Sequence, residues 1–590
     1  MRTTGRALLA LAFALDATPG FCSPGDLDPS FGNHGRVVTD LGGIEFAKSA
    51  ALQADGRIVV AGFTAAGKLL LVRYDSDGTL DASFGTGGTV LTTIGSGGGA
   101  GALALQTDGK MVAAGAASVG GSGRIAVARY DASGTLDPTF GSGGTVTTAV
   151  GDSANANAVV IQPDGSIVAA GYSTTAGHYD FALVRYDASG ALDPTFGTGG
   201  IVATDLGVDA LANAMVLQPD GRLIVGGFSA SSPGNPSGEH FALARYAADG
   251  SLDPSFGSGG TIVAGFQGRI AALALVAGGK FLVAGKGYPG GFVLARYESN
   301  GNADATFGVS GIVTSRFGSG EPDDAGFALA VQPDGRIVVA GRGQPGYASP
   351  YFGLIRYDAD GSLDRTFAPC VVVATPFPPV GTFGATAYAV LVQPDGKLVT
   401  VGTSNDEDVA LARYVGTGSA PACEPAAARK AALRVRGQAG LLGNPRSSWR
   451  WTAAGAVMKA DFGDPTTGTD YTFCVLDGAG TLQLAATTPA DPCADDELCW
   501  RSTAADAYGY STVPRVYGVP GLTRIALKAG AAGHATIRTL GGVDSFGVPS
   551  PPLTTPVVVR FQRDDAPKCW EATFTNPSTN DTRRFTAKSD

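Results

Sequence analysis

The sequence predicts an all-β protein: a seven-bladed β-propeller of four-stranded antiparallel blades, followed by a β-sandwich domain. Three observations carry this expectation. The phrase LDPTFGSGG (136–144) recurs with small changes at 27–35, 80–88, 192–200, 252–260, 303–311 and 363–371. Four strand-like runs accompany each copy in one order, with a period between 51 and 61 residues. Beyond residue 430 the repeat stops while strand-like runs continue.

The chain begins MRTTGRALLALAFALDATPGFCSPGD, in which Arg2 and Arg6 precede a short apolar run, Ala7 to Leu15. That run is too short to span a bilayer and fits a secretory signal peptide, residues 1–23, with cleavage near Ala17 or Gly20. A secreted, periplasmic or cell-surface protein is therefore expected, and no other segment is apolar enough to cross a membrane. Glycine (88) and proline (34) make up about a fifth of the 590 residues, while 44% are hydrophobic. This mixture is too apolar for disorder and too rich in turn formers for helices. A net charge of −10 argues against a nucleic-acid partner, which requires a basic stripe. Four histidines (His34, His178, His240, His534) leave little material for histidine-based catalysis or metal binding.

Residues 24–417 carry the repeats. After the phrase at 136–144 come TVTT, ANAVVIQ, SIVAAG and FALVRY, with a QPDG hairpin turn between the second and third runs. Self-similarity at this period with four strands per unit favours propeller blades over a β-solenoid, whose rungs are shorter. The phrase itself lacks the lysine and following helix of a phosphate loop. It reads as a turn carrying one blade's outer strand to the next blade's inner strand, with its phenylalanine plugging the gap between blades. LDPSFGSGG (252–260), QPDGRIVVAG (332–341) and FALARY (241–246), recurring together and in order, resemble the delta-60 repeat family over 27–417. The resemblance implies bacterial β-propeller repeats and brings no established activity.

The fourth run ends in Arg-Tyr. Alternation puts Phe181, Leu183 and Arg185 on one face, so the arginine needs a buried partner. An aspartate follows by eight residues in Arg73–Asp81, Arg129–Asp137, Arg185–Asp193, Arg245–Asp253, Arg296–Asp304 and Arg356–Asp364. These are expected to be structural ion pairs. Asp28 and Arg413 are left over, and should meet if the ring closes. The DxDGxxD spacings Asp75-Asp77-Asp81 and Asp358-Asp360-Asp364 offer a calcium site; other copies lose the spacing, so a plain Asp-Gly turn is the main reading and no metal or other cofactor is expected.

Residues 418–430 read as a linker and 431–590 as the β-sandwich, an accessory module of exported bacterial proteins. All four tryptophans (Trp449, Trp451, Trp500, Trp570) lie there and are expected in the core rather than on a sugar platform. Seven cysteines fit an oxidising compartment. The expected pairs are Cys370–Cys423, Cys493–Cys499 and Cys474–Cys569, with Cys22–Cys423 the main alternative to the first.

Connections in an antiparallel blade alternate between two rims. The repeated QPDG and LDPSFG turns share one rim, and the variable loops share the other. On that variable rim Tyr288, Tyr347 and Tyr351 lie near Glu321, Asp323, Asp324, Asp406 and Asp408, a set suited to a glycan or a cationic partner. The functional expectation is an exported, monomeric, non-catalytic interaction protein presenting these loops to an extracellular protein or glycan. A structural envelope component without a ligand is the alternative. An exported propeller enzyme, a lyase or a quinone-dependent dehydrogenase, is the third reading, weakened by the lack of a nucleophile motif or paired carboxylates outside the turns.

Overall fold

The computed structural model describes residues 24–590 apart from 231–237, 289, 318–323, 344–349, 369–371, 378–383, 405–406, 417–422, 437–445, 466–470, 477–481, 489–497, 505, 513–523, 542–552, 564–568 and 582–583. The described chain is all β, without an α-helix, and no helix is long and apolar enough to cross a membrane. The signal-peptide expectation, Cys22, Glu321, Asp323, Tyr347, Cys370, Asp406 and Cys493 lie outside the described residues.

The first repeat shows how a sheet is assembled. Glu45–Leu52, Ile58–Thr64 and Leu69–Tyr74 pair antiparallel in succession, and Thr89–Thr92 adds to the outer edge of the same sheet. The phrase LDASFGTGG therefore does not link two blades as the sequence suggested; it joins the third and outermost strands of one sheet. The reason is its backbone. Asp81 N donates to Arg73 O and Arg73 N to Gly88 O, folding the phrase into a compact reversal. Glycines with positive φ at Gly85 (53°), Gly87 (60°) and Gly88 (95°) make the reversal accessible. Crossing to the next sheet falls to the loop after the short outer strand.

Five sheets have this four-stranded form, and a sixth has seven strands. The seven-stranded sheet arises because Thr261–Leu275 runs unbroken from the outer edge of one unit to the inner position of the next. At the seam, Arg36–Thr39 pairs with Val409–Tyr414, so the first described strand completes the last sheet. Each inner strand packs against the next, and Thr386–Val392 against Glu45–Leu52. This is a β-propeller fold.

The core lies between sheets. Phe84 is fully buried among Val59 and Leu71 of one sheet and Met111 and Ala113 of the next. A Cβ on Gly134 would lie 2.8 Å from the Phe84 ring, which explains glycine in the DASG turn. The buried Tyr74 hydroxyl donates to Thr39 Oγ1, and Tyr130 repeats the bond to Thr92, tying adjacent sheets together.

The arginines and aspartates meet in all seven copies. Nε to Oδ2 separations are 2.7 Å for Arg73–Asp81, 2.9 Å for Arg129–Asp137 and 2.8 Å for Arg185–Asp193. They are 2.9 Å for Arg245–Asp253, 2.6 Å for Arg296–Asp304, 2.7 Å for Arg356–Asp364 and 2.9 Å for Arg413–Asp28. Each guanidinium also covers the phrase phenylalanine, as Arg73 does Phe84 at 4.4 Å, and donates to a turn carbonyl of the next sheet. Arg413 reaches Ser76 in this way, across the seam. A second cation, unforeseen from the sequence, comes from the residue after the QPDG turn. Arg57, Lys110, Arg222, Lys280, Arg336 and Lys397 lie 2.8–3.3 Å from Asp81, Asp137, Asp253, Asp304, Asp364 and Asp28. Ser166 stands at the seventh position. In the DxDGxxD turns, Asp77 and Asp360 accept from Thr79 and Ser362, while Asp75 and Asp81 face arginines. Those carboxylates hold the turns.

Beyond the repeats, strands form a five-stranded and an eight-stranded sheet. Trp449, Trp451, Phe473, Ile537, Phe561 and Trp570 from both sheets share one core; the Trp500 side chain is outside the described set. Glu424–Pro425, within the expected linker, already pairs with the five-stranded sheet. The disulfides differ from expectation. Cys423 bonds Cys569, so neither Cys370–Cys423 nor Cys474–Cys569 forms. The chain re-enters the second region beside Cys569, in a parallel register that sequence cannot specify. Cys474 is disulfide-bonded to a cysteine whose side chain lies outside the described set, as does that of Cys499. The outer face of the five-stranded sheet packs on the propeller, where Cys474, Leu476 and Val558 meet Leu363 and Val372.

Candidate binding site

Seven inner strands surround a cavity of about 1110 Å3. Every one of them carries a β-bulge at the same place, opposite a small residue of the second strand. The bulges fall at Lys48, Gly101, Asn157, Asn213, Ala271, Phe327 and Tyr388. A bulge re-aims its side chain out of the strict alternation, and bulges are over-represented beside functional sites. All seven residues line the cavity, one per strand.

The ring they form is polarised. On one arc the Phe327 and Tyr388 rings lie 5.3 Å apart, and Lys48 Nζ sits 3.8 Å above the Tyr388 ring. Across the cavity Asn157 and Asn213 each donate one amide hydrogen to a carbonyl of the next inner strand, Ala212 O and Ile270 O. Their side-chain oxygens remain as acceptors, and Asn155 donates to that of Asn157. Gly101 and Ala271 separate the two arcs without side-chain bulk. The arrangement offers aromatic faces, one ammonium and amide groups around a water-accessible space.

One end of the cavity lies at the rim of variable loops. There Arg269 makes a two-pronged pair with the fully buried Glu239 carboxylate and stacks 4.5 Å over Phe228. Tyr288 donates its hydroxyl to Glu239 Oε2 at 2.8 Å. Burial, reinforced by the Glu239 carboxylate, pushes the Tyr288 phenol up to about 12. Tyr288 thus lines the cavity but is clamped into its wall.

The other sequence-derived candidates separate. Asp324 is buried and accepts from Phe317 N at 2.8 Å, so it closes a loop rather than facing solvent. Tyr351 is half-buried in its strand, and burial raises its phenol above the ordinary value. Asp408 is buried beside Asp40 and Glu45, with ligand oxygens of all three within 4.8 Å of one another. Burial, opposed by the Leu41 amide and reinforced by Asp40, raises the Glu45 carboxyl. These carboxylates are close enough to share a cation, on a different rim from the expected calcium turns. Sequence reading missed the bulge ring and this trio. The signal for the ring was present, because the residues at that point of each inner run are unlike one another where their neighbours are alanine-rich.

Six segments, 53–84, 106–140, 162–196, 218–256, 275–307 and 332–367, match the family described as "Domain of unknown function (DUF5122) beta-propeller". Residues 53–367 therefore carry repeats of a β-propeller family. No curated protein matches the sequence. Similar solved structures include YCF48 from Cyanidioschyzon merolae, 11% identical over 64% of this chain and 98% of that one, with a TM-score of 0.35. A glucose dehydrogenase is 16% identical over 65% and 100% of the two chains, with a TM-score of 0.31. Drosophila Plexin A in complex with Semaphorin 1b is 10% identical over 66% and 88%, with a TM-score of 0.32.

Proposed function

We propose that this is an exported, non-catalytic glycan-binding protein: a seven-bladed propeller whose central cavity takes a saccharide, joined to a β-sandwich. The bulge ring carries the reading. Phe327 and Tyr388 offer rings on which the apolar face of a sugar stacks, and Asn157, Asn213 and Lys48 offer hydroxyl partners from other directions. The described lining includes no carboxylate, histidine or thiol, so the paired carboxylates of a typical glycoside hydrolase have no counterpart there. The cationic partner considered from the sequence fits less well, because the cavity lining carries Lys48, Arg269 and Lys286.

The test is a glycan array with the full chain, followed by calorimetry on the best ligand. Tyr388→Ala and Phe327→Ala should each weaken it at least tenfold, and Asn157→Ala less, with melting temperature held within a few degrees. A ligand insensitive to all three, or turnover of any array member, defeats the assignment. Tyr288→Ala is not a clean probe, since it frees the buried Glu239–Arg269 pair.

A further inference from the structure

The eight-stranded sheet turns one face to the core, and its other face is largely exposed at the described positions of its central strands. Across its central strands the register sets Arg538 directly opposite Arg450, and Arg524 and Arg434 opposite Leu540 and Ser448 in the adjoining row. The four arginines thus surround Leu540 and Ser448 in a shallow depression of about 740 Å3. All four are exposed, and among the described residues none of their guanidinium groups has an ion-pair or hydrogen-bond partner. Lys528, Arg584 and Lys588 extend the same face along its outward positions. No carboxylate stands at an outward position of these strands; the intervening residues are Ala432, Ser448, Ala526, Thr536, Leu540 and Thr586.

Like charges directly opposite on a sheet are destabilising, and side chains there approach to about 5 Å. The repeats handle their recurrent arginine differently: each arginine of the Arg-Tyr strand ends has its aspartate. In a chain of net charge −10, concentrating unpaired cations on one face separates charge rather than neutralising it. The sister sheet shows the contrast, since its outward Arg560 is paired with Glu571 and its apolar positions pack on the propeller.

We propose that this arginine face docks an acidic polysaccharide. Guanidinium forks pair with carboxylate or sulfate groups through two parallel hydrogen bonds, and the hydroxyls of Ser448, Thr536 and Thr586 serve the sugar hydroxyls between them. The depression is shallow and spans four strands, so an extended chain crosses several of them at once. Nucleic acid fits less well: the two described aromatic residues at the depression, Trp449 and Tyr508, are buried in the core and offer no exposed ring to stack a base. The proposal is independent of the central cavity.

The experiment uses the full chain with heparin as probe, measured by calorimetry between 50 and 300 mM salt (about one Debye length of 14 down to 6 Å). The wild type binds, with affinity falling as salt rises. Arg450→Gln with Arg538→Gln weakens binding at least tenfold, whereas Arg429→Gln with Lys430→Gln, the same charge change on another exposed segment, leaves it within twofold. Relieving the Arg450–Arg538 repulsion raises the melting temperature, so loss of binding is not loss of fold, and Tyr388→Ala leaves heparin affinity unchanged. Equal loss in both charge variants, or tighter binding to duplex DNA or anionic vesicles than to heparin, overturns the proposal. So does a tenfold gain on neutralising Asp495, Asp496 and Glu497, which would mean that the chain's own acidic segment occupies the face.

Discussion

Replacing Asp28 by alanine is expected to loosen the seam of the ring. Asp28 Oδ2 lies 2.9 Å from Arg413 Nε and 3.1 Å from Lys397 Nζ, and Oδ1 accepts from the Ser30 amide and hydroxyl. Arg413 is 6% exposed, so its charge cannot escape into water when the carboxylate goes. Removing one partner of a buried pair costs about 3–5 kcal/mol. Arg413 keeps the Ser76 carbonyl and the Ser30 hydroxyl, which places the loss near the lower end, about 3 kcal/mol. Expressed as local opening, about 3 kcal/mol is roughly a hundredfold. Hydrogen–deuterium exchange should show it at Arg36–Thr39 and Val409–Tyr414, the two strands that close the ring. Asp193→Ala is the internal control. Its side chain is 19% exposed and has a single cation, so about 1 kcal/mol is expected there. Adding Arg413→Met to Asp28→Ala should recover most of the loss, since no charge is then stranded. Unchanged exchange at 36–39 in the single variant, or no recovery in the double, refutes the reasoning.

Ser166→Lys restores the missing second cation beside Asp193 and should stabilise by about 0.5 kcal/mol in calorimetry, with no gain in an Asp193→Asn background. Cys423→Ser removes a bond joining residues 146 apart and should destabilise the C-terminal region by about 2–5 kcal/mol. Tryptophan fluorescence during urea unfolding isolates that effect, because no tryptophan lies in the repeats. The pH dependence has two signs. Burial pushes the Asp28 carboxyl up, but the Ser30 hydroxyl and amide, Lys397 and Arg413 outweigh it and hold it at about 2 against an ordinary 3.8. Its stabilisation is present above pH 3.8 and is lost as pH falls toward 2, so Asp28→Asn should flatten the acid limb of melting temperature against pH. Glu45 is raised, so its ionisation destabilises the fold: Glu45→Gln should raise the melting temperature at pH 7 and leave it unchanged below about 4.

Much of the repeat region was legible because its determinants are local. QPDG turns, period-two runs and an aspartate eight residues after each arginine act within one unit, and repetition multiplied the signal. The misreadings arose where geometry is not local. LDPSFGSGG has the composition of a linker, yet its backbone bonds return the chain to its own sheet, so every sheet is offset by one strand from the sequence repeat. Asp324 and Asp408 are expected from the sequence to offer their carboxylates to a ligand on the variable rim, but both are buried in the protein. The buried Glu239 that clamps Tyr288 stands 49 residues earlier in the chain, a pairing that no local pattern announces.

The sequence alone determined the all-β class, the unit of repetition and the charge pairing inside each unit, since these follow from neighbours a few residues apart. Only the tertiary structure decided which residues share a surface. A bulge in each of seven inner strands brings Lys48, Asn157, Asn213, Phe327 and Tyr388 around one cavity, although consecutive bulges are more than fifty residues apart. Strand register likewise gathers Arg434, Arg450, Arg524 and Arg538 from four strands onto one face, in a chain whose overall charge is negative. Composition averages over the whole chain and so cannot reveal such segregation; hydrogen-bonded register assigns each side chain to a face and thereby creates it.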